Sequence, residues 1–307
     1  MTKEIDMYDD SPEDIVHEQL QRSVWKDHPI GYLISGNKNT VRTFTRDTLT
    51  DYMAAKYTGD RMVIALAGNF DEEQVAADLE EAFGSIPPGS GNRSPLRQTR
   101  ASYHPSIYTC LKDIEQIHMI MAFESLDYYD SRKYILAIVN SIIGGNVNSR
   151  LFQKIREELG LTYSIESYNS SYETGGVFHI YAAIHPKQLY ETMDAIVSII
   201  RDMKEHHVPE RELRIVKEQI KTDLIIGSES TYNRVSSMGK AYIHGCDVIP
   251  LEETIKKIDE VTAPDIMAFM RECFRFETLS LSLAGDISCL DHDMLREKID
   301  YYRNSEV

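Results

Sequence analysis

The chain has 307 residues, 42% of them apolar, and a formal net charge of −16. That length accommodates two domains or one large one with sizeable cores. The acidic balance argues against nucleic acid or an anionic membrane as a partner, and no run approaches the ~20 apolar residues of a membrane span.

The opening MTKEIDMYDD has neither the basic nor the apolar region of a signal peptide. Ser11-Pro12-Glu13-Asp14 is a helix start: a Ser cap, Pro in the first turn, then acids at the positive end of the helix dipole. The spacing predicts that this helix buries Ile15, Leu20 and Val24, and that His28-Pro29-Ile30-Gly31 then breaks it. A second helix is expected over Thr45–Tyr57, burying Leu49, Tyr52, Met53 and Tyr57. A short apolar strand follows over Met62–Ala67, then a helix capped by Asp71 and carrying Val75, Leu79 and Phe83. Residues 86–101, rich in Pro, Gly and Ser, read as a linker.

After the linker the pattern restarts. Ile117, Met119, Met121 and Phe123 alternate as in a half-buried strand, and a helix over 130–143 follows. Strands near 162–171 and 176–184 predict a hairpin. Long amphipathic helices come next, one carrying Leu189, Met193, Ile196, Ile200 and Met203, another Leu213, Val216, Ile220 and Leu224. Helices near 231–243, 263–274 and 291–301 and a strand at 279–284 complete the chain. Cys110, Cys246, Cys273 and Cys289 form no CxxC and read as reduced thiols of a cytoplasmic protein.

One stretch organises the second half: Ile142 to Tyr163, IIGGNVNSRLFQKIREELGLTY. Asn148 or Ser149 can cap a helix burying Leu151, Phe152, Ile155 and Leu159, and Gly160 can end it. Arg156 and Tyr163 straddle that stop. The residues alone leave two readings open: an Arg capping carbonyls beside a Tyr packed on the sheet, or two side chains reaching one mouth. The chain also repeats itself. Thr45 and Leu49 match Thr262 and Ile266, Tyr52 and Tyr57 match Phe269 and Phe274, and Leu66-Ala67-Gly68 matches Leu283-Ala284-Gly285, every pair 217 residues apart. This indicates two copies of one α+β domain. The first occupies 1–98 and is about 108 residues shorter at its N-terminus than the second, over 102–307.

The stretch resembles the second domain of the pitrilysin/insulinase family of zinc peptidases, and in particular its processing-peptidase-like members. The match runs through Gly144, Gly145, Ser149, Arg150, Leu151, Phe152, Ile155, Arg156, Glu157, Gly160, Leu161 and Tyr163. The resemblance implies two homologous α+β domains, each an antiparallel-rich sheet packed with helices. It implies peptide-bond hydrolysis assisted by zinc in the full-length family. The glycine-rich loop, here Gly144, Gly145, Asn146 and Ser149, would bind substrate, and Arg156 and Tyr163 would act on it from the second domain. The peptide would lie as an added strand on a sheet edge. The family's H-x-x-E-H, which holds zinc and a general base, is absent from the 307 residues. Its third ligand maps onto Glu4, before Ile5-Asp6-Met7-Tyr8. The chain is therefore expected to bind no zinc and to be inactive alone. An alternative is a non-catalytic subunit that captures peptide for an active partner, as a homodimer or as a heterodimer with an H-x-x-E-H-bearing chain.

Overall fold

A computed structural model describes residues 2–26, 28–89 and 100–305. In chain order the elements are α1 (Thr2–Asp10), α2 (Pro12–Val24), α3 (Lys38–Thr43), α4 (Arg46–Lys56), α5 (Glu72–Phe83), β1 (Ile107–Leu111), β2 (Ile117–Ser125), α6 (Lys133–Ile143), β3 (Thr162–Tyr172), β4 (Gly175–Ile184), α7 (Leu189–Glu205), α8 (Glu210–Glu229), α9 (Thr231–Ile243), α10 (Leu251–Glu260), α11 (Ala263–Cys273), β5 (Ser280–Gly285) and α12 (His292–Asn304). A π-helical turn, Phe152–Glu158, lies between α6 and β3. The class is α+β. The chain divides into two compact units: residues 1–38, 99–219 and 257–307, and residues 39–98 with 220–256.

The first unit is built on a five-stranded sheet of order β1-β5-β2-β4-β3. Only β1 and β5 run parallel; the other neighbours are antiparallel. The predicted hairpin is β3–β4, with Tyr172 opposite Gly175. Successive side chains along a strand point to opposite faces. On one face Met119, Met121, Phe123, Phe178, Ile180, Leu281 and Leu283 are buried, together with the apolar sides of α6, α7 and α11. Each such side chain contributes about 1.5–3 kcal/mol by leaving water.

The other face carries Ile120, Ala122, Val177, Tyr181, Ala183 and Ala284, and α2 covers it with Ile15, Val16, Leu20 and Val24. The alternation in 117–123 predicts a half-buried strand, but Ile120 and Ala122 are as buried as Met119 and Met121. The reason is that second cover. Ser11 caps α2 by accepting from the Asp14 N–H, as its sequence predicts.

The second unit departs further from the sequence reading. Helix α4 forms and Thr45 caps it, but Leu49, Tyr52, Met53 and Tyr57 are 56%, 59%, 51% and 53% exposed instead of buried. Residues 62–67 form no strand. A strand is defined by its ladder, and these residues have no ladder partner among the described residues. Of the linker, residues 90–99 lie outside the described residues. Its start is tied down, since the Gly59 and Asp60 N–H groups donate to the Pro87 and Pro88 carbonyls.

Candidate functional site

The glycine-rich loop is a hydrogen-bonded unit. The N–H groups of Gly144 and Gly145 both donate to the Asn140 carbonyl, which caps α6. Asn146 donates to the Ser141 carbonyl at 3.1 Å and its own side-chain oxygen accepts from the Asn148 N–H at 2.8 Å. Ser149, 2% exposed, accepts from the Phe152 N–H, so of the two predicted caps Ser149 serves. Gly144 also approaches β3: its carbonyl accepts from the Ser167 N–H, and a Cβ at 144 would stand 2.6 Å from that nitrogen. Glycine is required there by the close approach of two backbones.

Leu151, just before the π-helical turn, and Ile155 within it are fully buried. Leu159 is exposed, contrary to the helical spacing, because it is the last residue before Gly160 turns the chain out at φ 63°. Arg156 leaves this turn with its guanidinium 4.5 Å from the Phe152 ring centroid and 3.6 Å from Glu157, and its side chain is 38% exposed. The face of the ring attracts the cation and fixes its direction. Tyr163 sits where β3 breaks register, between Thr162 and Ser164. A bulge of this kind re-aims a side chain, and Tyr163 is 86% exposed. Neither of the packed alternatives describes these two residues: Arg156 caps no carbonyl among the described residues, and Tyr163, largely exposed, is not packed on the sheet.

Arg150 has a role the sequence did not disclose. It forms a bidentate pair with Glu212 at 2.9 and 2.8 Å and a third bond to Asp202 at 2.7 Å, with its side chain 19% exposed. It fastens the start of the turn to α7 and α8 at once, in the fork geometry that only Arg supplies. Its place inside the matched motif was the available signal.

Glu4 is elsewhere in the same unit. It lines a cavity of about 520 Å³ with His17, Glu18 and His179. These groups do not converge on a metal: among the described residues no three His, Cys, Asp or Glu side chains form a ligand set. The His17 Nδ1 is engaged by the Tyr168 hydroxyl, and His179 lies flat against the Tyr168 ring at 4.6 Å. Burial, with His17 nearby, pushes His179 down to about 3. The donors present do not fit a zinc centre, which needs three ligands around an open position.

Comparison with known proteins places the chain. Residues 43–220 match the family model described as the peptidase M16 inactive domain. The chain is 35% identical over 272 residues to the uncharacterized zinc protease YmxG of Bacillus subtilis, covering 89% of this chain and 66% of that protein. It is 34% identical to an uncharacterized zinc protease of Rickettsia bellii, covering 89% and 65%. It thus spans about two thirds of the length of the curated relatives it matches. Among solved structures, the peptidase M16 inactive domain from Pseudomonas fluorescens superposes with a TM-score of 0.81 at 19% identity, over 92% of this chain and 68% of that one. A chain of complex III2 from Candida albicans gives 0.82 at 19%, over 97% and 73%. The fold, the motif and the relatives agree: this chain belongs to the peptidase M16 family and lacks that family's H-x-x-E-H zinc motif.

Proposed function

We propose that this chain supplies the substrate-holding half of a peptide-hydrolysing site whose zinc and general base lie outside these 307 residues. In this reading residues 1–98 are the C-terminal half of one copy of the repeat and 102–307 the complete second copy. The observation that carries it is the pairing of an exposed Tyr163 with a ring-stacked Arg156, on either side of the Gly160 turn and beside a fixed glycine loop. An exposed phenol and a guanidinium resting on the Phe152 ring are donors that suit a carbonyl oxygen gaining negative charge. Strand β3 ends the sheet, so a peptide can add along the part of its edge that Gly144 leaves open.

Zinc, in this reading, belongs to the assembled protein, where Glu4 would be one of its ligands. A subunit that captures peptide for a partner carrying H-x-x-E-H is the second reading, favoured by the absence of a ligand set among the described residues. The four free cysteines suit a reducing compartment, the cytoplasm in our reading. No helix among the described residues is long and apolar enough to cross a membrane.

The test compares the chain alone with the chain fused to, or mixed with, a family segment bearing H-x-x-E-H. Alone, it should hold far less than one zinc per molecule and cleave no peptide. With the segment, zinc binding and hydrolysis should appear. Arg156→Ala and Tyr163→Phe should then retain zinc and lower kcat by about 10²–10³, the scale of one lost oxyanion donor. Glu4→Gln should lower zinc content. Activity in the fused or mixed form that is indifferent to Arg156 and Tyr163 would reduce that pair to packing residues.

A further inference from the structure

In a chain of net charge −16, three cations gather at the C-terminal end of α7 without an acid of their own. Arg201 and Lys204 are three residues apart on α7, so they share one face of the helix. Phe276, 3% exposed, serves both: the Lys204 Nζ stands 5.1 Å and the Arg201 Cζ 5.4 Å from its ring centroid. Arg271, in the last turn of α11, donates from Nε to the Lys204 carbonyl at 2.7 Å. Among the described residues none of the three forms an ion pair. Asp202, on the same turn of α7, is held by Arg150 at 2.7 Å, and Glu277 pairs with Arg275 at 3.5 Å. Lys204 is 5% exposed, and its amine makes no hydrogen bond among the described residues. Arg201 gives one Nη donor to the Ser305 hydroxyl, and its Nε is buried without a partner. Burial holds the Lys204 amine below the ordinary lysine range; Glu277 opposes that, and Arg201 and Arg271 add to it.

We propose that Arg201, Lys204 and Arg271 together bind a phosphate group, either free inorganic phosphate or the phosphate of a small monoester. A buried cation without a partner is costly, and the cost grows when like charges are gathered. The negative pole at the end of α7 offsets about half a charge, well short of three. Solubility does not explain the cluster either, since Lys204 is covered. The face of Phe276 attracts the two α7 cations and fixes their place, leaving the Lys204 amine and the Arg201 Nε free to donate. A carboxylate brings one negative charge; a phosphate brings about 1.5–2 and three acceptor oxygens. Guanidinium forks match those oxygens in pairs, and an ammonium adds a point charge. The site uses none of the residues on which the functional reading rests, and it stands or falls without that reading.

The probe is inorganic phosphate, titrated into the full 307-residue protein at constant ionic strength and followed by calorimetry. Saturable binding at a single site per chain is expected. Lys204→Met and Arg271→Gln should each weaken it by about tenfold to a hundredfold, the scale of one lost charge-assisted hydrogen bond. Arg271 is exposed, so Arg271→Gln tests the site even where Lys204→Met disturbs the packing. Displacement of phosphate by phenyl phosphate would extend the site to monoesters; failure to displace it would restrict the site to the free ion. Binding that does not saturate overturns the proposal, as does equal affinity in the unaltered protein and both variants. Phosphate binding that appears only after residues 306–307 are deleted would give the cations to the chain's own terminal carboxylates, and it too overturns the proposal.

Discussion

α4 and α11 are both eleven residues long, both boxed by a threonine, both ended by an aromatic residue at similar backbone angles, yet the apolar face of one is half exposed and that of the other sealed. The difference teaches what local sequence decides and what it leaves to the rest of the chain. Capping and propensity fix where a helix starts and stops. Burial needs a second surface, and only α11 has one among the described residues.

The largest effect expected from this contrast is at the paired aromatics. Phe274 packs against Phe178, Phe123 and Phe269 at centroid distances of 4.8, 5.5 and 6.4 Å. Phe274→Ala should lower the unfolding free energy by about 3–5 kcal/mol, and Tyr57→Ala by no more than about 0.5 kcal/mol. Urea titration of both variants decides; comparable losses would show that α4 is as well covered as α11.

Acid should sharpen the contrast next. His179 is 4% exposed and its ring nitrogens have no partner among the described residues. Its pKa in the fold, about 3, is below the 6.5 of the unfolded chain. Between these values the unfolded state binds the proton and the folded state does not. Stability is therefore lost as pH falls from about 6.5 towards about 3, by up to about 1.4 kcal/mol per pH unit for this group. Burial lowers His17 and His118 as well, with the same sign. His179→Phe should flatten the loss between about pH 6 and pH 4. A variant with the unaltered slope would move the acid sensitivity to other groups.

The smallest effect separates the caps. Thr262→Ala should cost about 1 kcal/mol of global stability. Thr45→Ala should speed amide exchange within α4 and leave global unfolding where it was. If both variants shifted the global transition equally, the two units would unfold as one and the contrast would have no energetic content.

Much of this was legible in the sequence because it is local. The Ser11 cap, the Gly160 stop and the β3–β4 hairpin are each written within a few residues. The features that escaped are set from far away. The second cover of β2 comes from α2, about a hundred residues upstream. The Arg150 clamp depends on Asp202 and Glu212, 52 and 62 residues downstream. The exposure of Tyr163 follows from a register slip that no periodicity announces. The glycine loop was found by its motif, but the close approach that demands Gly144 needed β3 in place beside it.

The position of β5 has a consequence for how the chain is made. Among the described residues β1 has no neighbour but β5, and Ile107 waits for Leu281. Strands β2, β4 and β3 can pair once residue 184 has emerged, while β5 begins at 280. At typical synthesis rates those residues take roughly 5–20 s, far longer than a hairpin needs to form. During that interval the edge of β2 that awaits β5 is open. The sheet therefore closes late, after nearly all of the chain has been synthesised.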